Sequence, residues 1–154
     1  MSFFWRAAFR ATYWMLAVLD PAIRWFWKLF GLGNVVELTV SRRAGTGDRA
    51  RLVGLLRAGD RLYLGHPNGP VGWTSDLEAA GTGTIRWPDG REMQVRAVRL
   101  AAGMERGDAI RATSQHPFPG NLIYGLGRGH IRAVGVFFRI TPLDEAMPLD
   151  EPAG

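Results

Sequence analysis

The spacing of apolar residues changes near residue 35 and divides the chain into two parts. Before that point, apolar side chains recur at helical spacing. After it, apolar and polar residues alternate, as they do in strands with one buried face. Asp20-Pro21 is typical of a helix start, with a capping carboxylate followed by proline at the first helical position. The first part therefore predicts two helices, over residues 3–18 and 21–30.

The alternating part predicts six short strands separated by turns. We expect these strands at 35–41, 51–57, 61–65, 82–87, 92–100 and 133–141. One helix is expected at 71–80 and a short polar helix at 103–113. The glycine-rich stretch 117–129 is expected to be irregular apart from a single helical turn. Because closure hides the edges of a sheet, the series favours a mainly β fold with helices (α+β), built around a closed or nearly closed barrel.

The last predicted strand is the most apolar, and its alternation predicts which side chains face inward. The set expected inside the barrel is Val134, Val136, Phe138 and Ile140, and the opposite set is Gly135, Phe137 and Arg139. In the strand at 92–100, the inward set is expected to be Met93, Val95 and Ala97. Residues 142–154 contain three prolines and four acidic residues, which predicts a disordered tail.

The N-terminal segment, residues 1–34, combines aromatic and basic side chains. Residues 1–30 hold ten of the 17 aromatic residues, and helical spacing places the basic ones in a stripe opposite them. The basic residues of the stripe are Arg6, Arg10, Arg24 and Lys28, and Asp20 falls in the same sector. The longest uncharged run has nine residues, whereas a membrane-spanning helix needs about 20. The pattern favours an amphipathic helix lying on a membrane surface. Packing on the barrel and a cleaved targeting segment are the alternatives.

Composition narrows the chemistry that the chain can perform. The 154 residues include no cysteine, and the three histidines lack metal-site spacing, so we expect no metal. The net charge is +5, and Lys28 is the only lysine among 19 basic residues. Arginine suits phosphate and carboxylate groups, although codon bias explains the same composition. The arginines are dispersed and no nucleic-acid motif accompanies them, so we expect no nucleic-acid partner.

Three segments are candidates for a binding site. The first, 41–51, is a glycine-containing turn rich in arginine, and glycine lets backbone amides approach an anion that arginine neutralises. The second, 65–70, leads into the helix at 71–80, whose N-terminus presents free N–H groups. The third, 116–132, contains Tyr124 and the histidines His116 and His130, and either the tyrosine or a histidine can donate a proton. For each segment, an ordinary solvated loop is the alternative.

The order of these segments resembles the deazaflavin-dependent nitroreductase and quinone reductase family of actinobacteria. The family motif T-x-G-R-[RK]-[ST]-G-x-x-R is similar to residues 39–45, with Arg49 reached one residue late. A Gly-Asp-Arg hairpin follows at 59–61, and then a short loop at 66–69. The motif W-x-x-N-L is similar to 73–77, with Asp76 in place of asparagine. The resemblance covers residues 35–141.

This resemblance implies a flavin-reductase-like split β-barrel over 35–141 that binds coenzyme F420, a deazaflavin, with FMN as the alternative cofactor. It implies that Arg42, Arg43 and Arg49 hold the phosphate and the acidic tail of the cofactor. The further implied cofactor contacts are His66, Asn68, Gly69, Trp73 and Asp76. Tyr124 is the candidate catalytic residue, in the acceptor pocket.

The activity implied by the resemblance is hydride transfer between reduced F420 and a hydrophobic acceptor such as a quinone or a nitroaromatic compound. A cytoplasmic protein attached peripherally to the inner face of the cell membrane is expected, and a homodimer is one expected state. The alternative is a non-catalytic, membrane-associated split-barrel protein that binds a lipid, a flavin or haem.

Overall fold

The computed structural model describes residues 2–143. Its N-terminal part is a pair of helices, α1 (Ser2–Val18) and α2 (Asp20–Phe30), as the sequence predicts. The prediction that Asp20 caps α2 is wrong, because Leu19 is the N-cap and the Asp20 carboxylate pairs with Arg24 inside the helix. Pro21 occupies the first turn of α2, and Gly31 ends the helix by donating its N–H to the Trp27 carbonyl (2.9 Å). Gly31 has a φ of 72°, a backbone conformation that glycine adopts without strain.

The rest of the described chain is built around a curled sheet of seven strands. These are β1 (Val35–Ser41), β2 (Asp48–Gly54), β3 (Leu56–Ala58), β4 (Arg61–His66), β5 (Thr82–Arg86), β6 (Glu92–Arg99) and β7 (Val136–Pro142). They lie in the order β2-β1-β5-β6-β7-β4-β3, and all neighbours are antiparallel. The outer strands β2 and β3 are separated by Leu55 alone, so the two edges of the sheet meet at that residue.

The prediction of a single strand over 51–57 is wrong, because the chain changes its pairing partner at Leu55. β2 pairs with β1, whereas β3 pairs with β4. At the junction, the Leu55 N–H donates to the Asn34 carbonyl (2.9 Å), and the Asn34 side-chain amide donates to the Leu55 carbonyl (3.2 Å). Asn34 therefore satisfies both backbone groups of the residue that leaves one strand pair for the other. The described sheet has seven strands where six were predicted.

Four further helices cover the sheet. They are α3 (Gly72–Ala80), α4 (Met104–Ala112), α5 (Gly120–Leu126) and α6 (Arg128–Val134), with a 3₁₀ turn at Thr113–Gln115. The helices α3 and α4 were predicted. The prediction of an irregular segment at 117–129 is wrong, because α5 and the start of α6 lie there. Gly127 packs against Phe9 of α1, whose ring carbons would lie 3.1 Å from a Cβ at that position. Phe9 therefore covers the glycine-rich helices, through a tertiary contact that a local sequence pattern does not predict.

The inner face of the sheet is buried, whereas part of its outer face, along β6, is exposed. The barrel interior contains, among others, Leu38, Leu64, Ile85, Val95 and Phe138. The prediction that these side chains face the barrel interior is confirmed for Val136, Phe138 and Ile140 of β7 and for Val95 and Ala97 of β6. Met93 is partly buried. The prediction that Val134 faces inward from the last strand is wrong, because Val134 ends α6 and β7 begins only at Val136.

A second core lies outside the barrel, beneath the helices. It consists of Phe9, Leu56, Tyr63, Ala109, Ile110, Ala112, Ile131 and Phe137. Phe137 points away from the barrel interior, as its alternation predicts, but is buried in this second core. β7 also runs through Pro142, and the Leu143 N–H donates to the Gln94 carbonyl (2.9 Å), so these two residues of the predicted tail belong to the sheet. Residues 144–154 of that tail lie outside the described residues.

Candidate functional site

Residues 42–47 form the loop that joins β1 to β2, which we call the arginine loop. The Arg42 N–H donates to the Gly47 carbonyl (3.1 Å), and Gly45 and Gly47 have φ values of 86° and 91°, which favour glycine. Arg42 and Arg43 are exposed, and neither guanidinium makes an ion pair within residues 2–143. The loop therefore presents two uncompensated positive charges, an arrangement suited to an anion.

Arg49, the third arginine predicted to bind phosphate, is paired within the protein. Its Nε lies 2.8 Å from Oδ2 of Asp76, which is buried on α3. The guanidinium also packs on the first residue of that helix, because a Cβ at Gly72 would lie 2.6 Å from its Nη1 atom. Asp76 therefore neutralises Arg49, and the pair links β2 to α3, while the contact of Arg49 with a cofactor phosphate stays a prediction.

Asp76 also positions the arginine loop. The Arg43 N–H donates to its Oδ1 (3.0 Å). This backbone hydrogen bond and the Arg49 guanidinium hold the pKa of Asp76 below its ordinary value, against the opposing effect of burial. Asp76 therefore contributes a fixed negative charge. Its observed partners are protein groups, and its connection to a cofactor would be through the loop that it holds.

The loop between β4 and α3 brings together His66, Asn68 and Gly69. Nδ1 of His66 lies 3.1 Å from the Gly69 carbonyl oxygen and 3.3 Å from the Asn68 nitrogen. Oδ1 of Asn68 lies 2.9 Å from Nε2 of His130, and its Nδ2 donates to the Arg6 carbonyl of α1 (3.3 Å). The polar side chains of this loop are therefore bound within the protein, and α1 lies against them.

Burial shapes the environment of His66 and Trp73. It lowers the pKa of His66 to about 4, so this imidazole is neutral at pH 7. The His66 ring lies against Tyr13 of α1, with centroids 4.8 Å apart. Trp73 is buried in the barrel interior, where its ring centroid lies 6.5 Å from that of Phe138. Trp73 is therefore a core residue in this structure, and its packing beside a cofactor ring stays a prediction.

Tyr124, the predicted catalytic residue, lies under α1. Its hydroxyl is 2.7 Å from the Tyr13 hydroxyl, and its ring packs against Phe9 (5.8 Å) and His116 (4.4 Å). Burial raises the pKa of Tyr124 well above its ordinary value and that of Tyr13 to about 12. Both phenols are therefore protonated at neutral pH. Tyr124 is a potential proton donor, but its hydroxyl faces Tyr13, so reaching a substrate requires α1 to move.

Phe9 and Tyr13 received no site role from the sequence, although they surround residues that did, among them His130 of the third candidate segment. His130 stacks on Phe9 with centroids 5.9 Å apart, and its buried Nδ1 has no hydrogen-bond partner among the described residues. Burial lowers the pKa of His130, and Arg6 lowers it further. Phe9 and Tyr13 are four residues apart, which places both on one side of a helix. This spacing was the feature of the sequence that could have indicated their shared contact surface.

The two N-terminal helices bury some of their aromatic side chains against the barrel and expose others. Arg24 faces the barrel and pairs with Asp20 (2.8 Å) and Glu37 (2.6 Å). Phe9 and Trp27 are fully buried, and Trp27 donates its indole N–H to the Val35 carbonyl (2.8 Å). Eleven other large apolar side chains among the described residues of this segment are exposed and form what we call the outward face. They are Phe3, Phe4, Trp14, Met15, Leu16, Val18, Leu19, Trp25, Phe26, Leu29 and Phe30.

No described helix combines the length and apolarity needed to cross a membrane. The described residues also contain no group of three histidine or acidic side chains placed to hold a metal ion. A polar groove of about 210 Å³ flanks the base of the arginine loop, between Ser41, Asp48 and β5. A larger cleft of about 470 Å³ lies where α2 leads into β1 and the two sheet edges meet. None of the predicted site residues lines either of these two clefts.

No family model matches the sequence, and no curated protein matches it significantly. Solved structures resemble it at low sequence identity. HutZ, a heme storage protein from Vibrio cholerae, is 14% identical over 80% of this chain and 89% of that one, with a TM-score of 0.52. A candidate pyridoxamine 5′-phosphate oxidase from Listeria innocua is 14% identical over 81% and 94%, with a TM-score of 0.50. An F420 reductase, at 14% identity over 75% and 91% and a TM-score of 0.43, is too distant to carry an argument. The chain therefore has the predicted α+β fold, a split β-barrel of the flavin-reductase type.

Proposed function

We propose that the protein is a peripheral membrane oxidoreductase that binds coenzyme F420 and passes hydride to a hydrophobic acceptor such as a quinone or a nitroaromatic compound. The inner face of the cell membrane is its proposed location. A homodimer, one of the states expected from the resemblance, stays a prediction. The proposal has a membrane part and a cofactor part, which rest on different observations and are tested separately.

The outward face of α1 and α2 is the observation that carries the proposal. Soluble surface helices turn their apolar stripe toward the core, whereas here Trp14 and Trp25 are 71% and 64% exposed. Trp and Phe side chains are favoured at the boundary between headgroups and acyl chains. Three exposed cations on the same helices, Arg6, Arg10 and Lys28, would each contribute about 1 kcal/mol near an anionic surface. A bilayer is the partner that satisfies both features.

The cofactor part rests on the arginine loop. Its residues fit the anionic end of F420 or of FMN, because Arg42 and Arg43 are exposed without a carboxylate partner in the described part of the chain, on a loop that Asp76 holds in place. These two residues would bind the phosphate, and bound F420 in its reduced form supplies a hydride. The fit is limited to that end, because α1 covers the loop holding His66 and Asn68. Binding of the ring system there would require α1 to move away.

A vesicle sedimentation assay tests the membrane part. Trp14→Ala and Trp25→Ala should each weaken binding to anionic vesicles without lowering the melting temperature, because both rings are exposed. Met104→Ala is the matched control, since Met104 is 90% exposed but belongs to α4. Full binding by both tryptophan variants, or an equal loss in the Met104 variant, would refute the membrane part.

Titration with F420 tests the cofactor part. The double variant Arg42→Gln, Arg43→Gln should bind F420 about tenfold or more weakly, since two charge-assisted contacts are lost. Arg51→Gln is the control, because Arg51 is an exposed arginine of β2 outside the arginine loop. Unchanged affinity in the double variant would remove the arginine loop from the site. If the wild type binds FMN and not F420, the alternative cofactor takes its place.

A non-catalytic haem-binding protein is the second candidate, and His130 is the observation that favours it. A neutral histidine is a haem ligand, and the Nδ1 atom of His130 is buried without a hydrogen-bond partner among the described residues. HutZ, which has the same fold, is named as a heme storage protein. Haem titration should then give an absorption band that His130→Ala alters. If no band appears, the haem candidate fails and the oxidoreductase proposal remains.

A further inference from the structure

The larger cleft, of about 470 Å³, has the size and lining of a ligand site. It is formed where α2 leads into β1, where β2 gives way to β3, and at the turn that follows β5. Leu55, Leu62, Trp87 and Pro88 give it apolar surface, and Arg57 is the one charged residue among the described residues of its lining. An anionic ligand with an apolar neighbourhood therefore matches this cleft.

The backbone of Arg57 is held in place by the side chain of Gln115. The Gln115 side chain accepts the Arg57 N–H at its Oε1 (2.8 Å) and donates from Nε2 to the Arg57 carbonyl. The Arg57 side chain is exposed and makes no ion pair within residues 2–143. Fixing the backbone while leaving the guanidinium uncompensated prepares a charge for an incoming anion.

The cleft wall also contains an acceptor that lacks a donor. The Asn34 amide nitrogen donates to the Leu55 carbonyl (3.2 Å), but its Oδ1 is buried without a partner among the described residues. Leaving such an atom unsatisfied destabilises the protein. A ligand hydroxyl that donates to Oδ1 would satisfy this atom. The ligand should therefore carry a hydroxyl donor as well as an anion.

The rim of the cleft is continuous with the outward face. A Cβ at Gly31 would lie 3.6 Å from Pro88 of the lining, and one at Gly33 would lie 3.6 Å from Pro117. The residues next to these contacts, Phe30 and Phe118, are 71% and 78% exposed. A membrane that receives the outward face would lie beside the opening of the cleft.

We propose that the cleft binds a glycerol phosphate group, as presented by the headgroup of phosphatidylglycerol, with the phosphate on Arg57 and a glycerol hydroxyl on Asn34. The inference rests on the membrane part of the proposed function for the source of the ligand. It goes beyond that function because it assigns a preference for one lipid headgroup, whereas the outward face alone selects only for an anionic surface.

Vesicles of equal surface charge test the inference. Phosphatidylglycerol and phosphatidylethanol carry the same charge, but the second lacks headgroup hydroxyls. The wild type should bind phosphatidylglycerol vesicles about fivefold more tightly, the scale of one partly exposed polar contact. Arg57→Gln should lose this preference. Arg51→Gln, which removes an equal charge from β2 outside the cleft, should weaken binding to both lipids and keep the ratio.

Free sn-glycerol 3-phosphate, titrated by calorimetry, distinguishes the two sources of the ligand. If it binds the wild type and not Arg57→Gln while the vesicles show no headgroup preference, the site stands and its ligand is a free ester. An equal lipid ratio in wild type and Arg57→Gln, together with no Arg57-dependent binding of the ester, overturns the inference. If no vesicle binds at all, the membrane part of the proposed function fails, and the titration alone decides the cleft.

Discussion

Phe9→Ala and Phe3→Ala compare the two sides of α1 within one helix. Phe9 is 1% exposed and packs against Gly127, Tyr124 and His130, whereas Phe3 is 84% exposed. Truncating a buried phenylalanine to alanine costs about 3–5 kcal/mol, from lost burial and from the cavity left behind. For a chain of this size, each kcal/mol lowers the melting temperature by about 2–4 °C, so Phe9→Ala should lower it by about 6–20 °C.

Phe3→Ala should leave the melting temperature unchanged and weaken vesicle binding instead. Thermal unfolding followed by circular dichroism measures the first effect, and sedimentation with anionic vesicles measures the second. If Phe9→Ala melts within about 2 °C of the wild type, α1 is not docked on the barrel as described. If Phe3→Ala is as destabilising as Phe9→Ala, the outward face is packed inside the protein and the membrane argument fails.

Three further predictions follow from the cores and the buried ionisable groups. Phe138→Ala should cost about 3–5 kcal/mol in denaturant unfolding, whereas Val98→Ala, at a half-exposed position, should cost far less; equal losses would contradict the strand register. Stability should fall as the pH drops from 6.5 to about 4, because His66 and His116 have pKa values lowered by burial to about 4 and the unfolded chain takes up their protons first; unfolding curves across this range that do not move would contradict their burial. Asp76→Asn should destabilise the protein at pH 7 and flatten the loss of stability in more acidic solution, because the lowered pKa of Asp76 stabilises the fold only while the carboxylate is ionised; an unchanged acid limb would exclude this role.

Local patterns determined the elements whose signals lie within a few residues. The paired helices α1 and α2, the strand β1 and the helix α3 follow from the apolar period and from the proline and glycine residues at their ends. The same period determined that Phe138 and Ile140 face the barrel interior. The arginine loop was also recognisable, because glycine and arginine between two strands are a local feature. Its two exposed arginines, Arg42 and Arg43, remain the best-supported part of the candidate site.

Tertiary structure decided the features that depend on distant residues. The break between β2 and β3 requires Asn34, which lies 21 positions before Leu55, and α5 and α6 lie beneath Phe9. The charge of Arg49 is neutralised by Asp76, whose side chain arrives from another element. Alternation reports which side of a strand a residue occupies, but not whether a helix covers that side, as Phe137 illustrates. Pairing and burial are set by contacts between distant segments, and a local period cannot encode them.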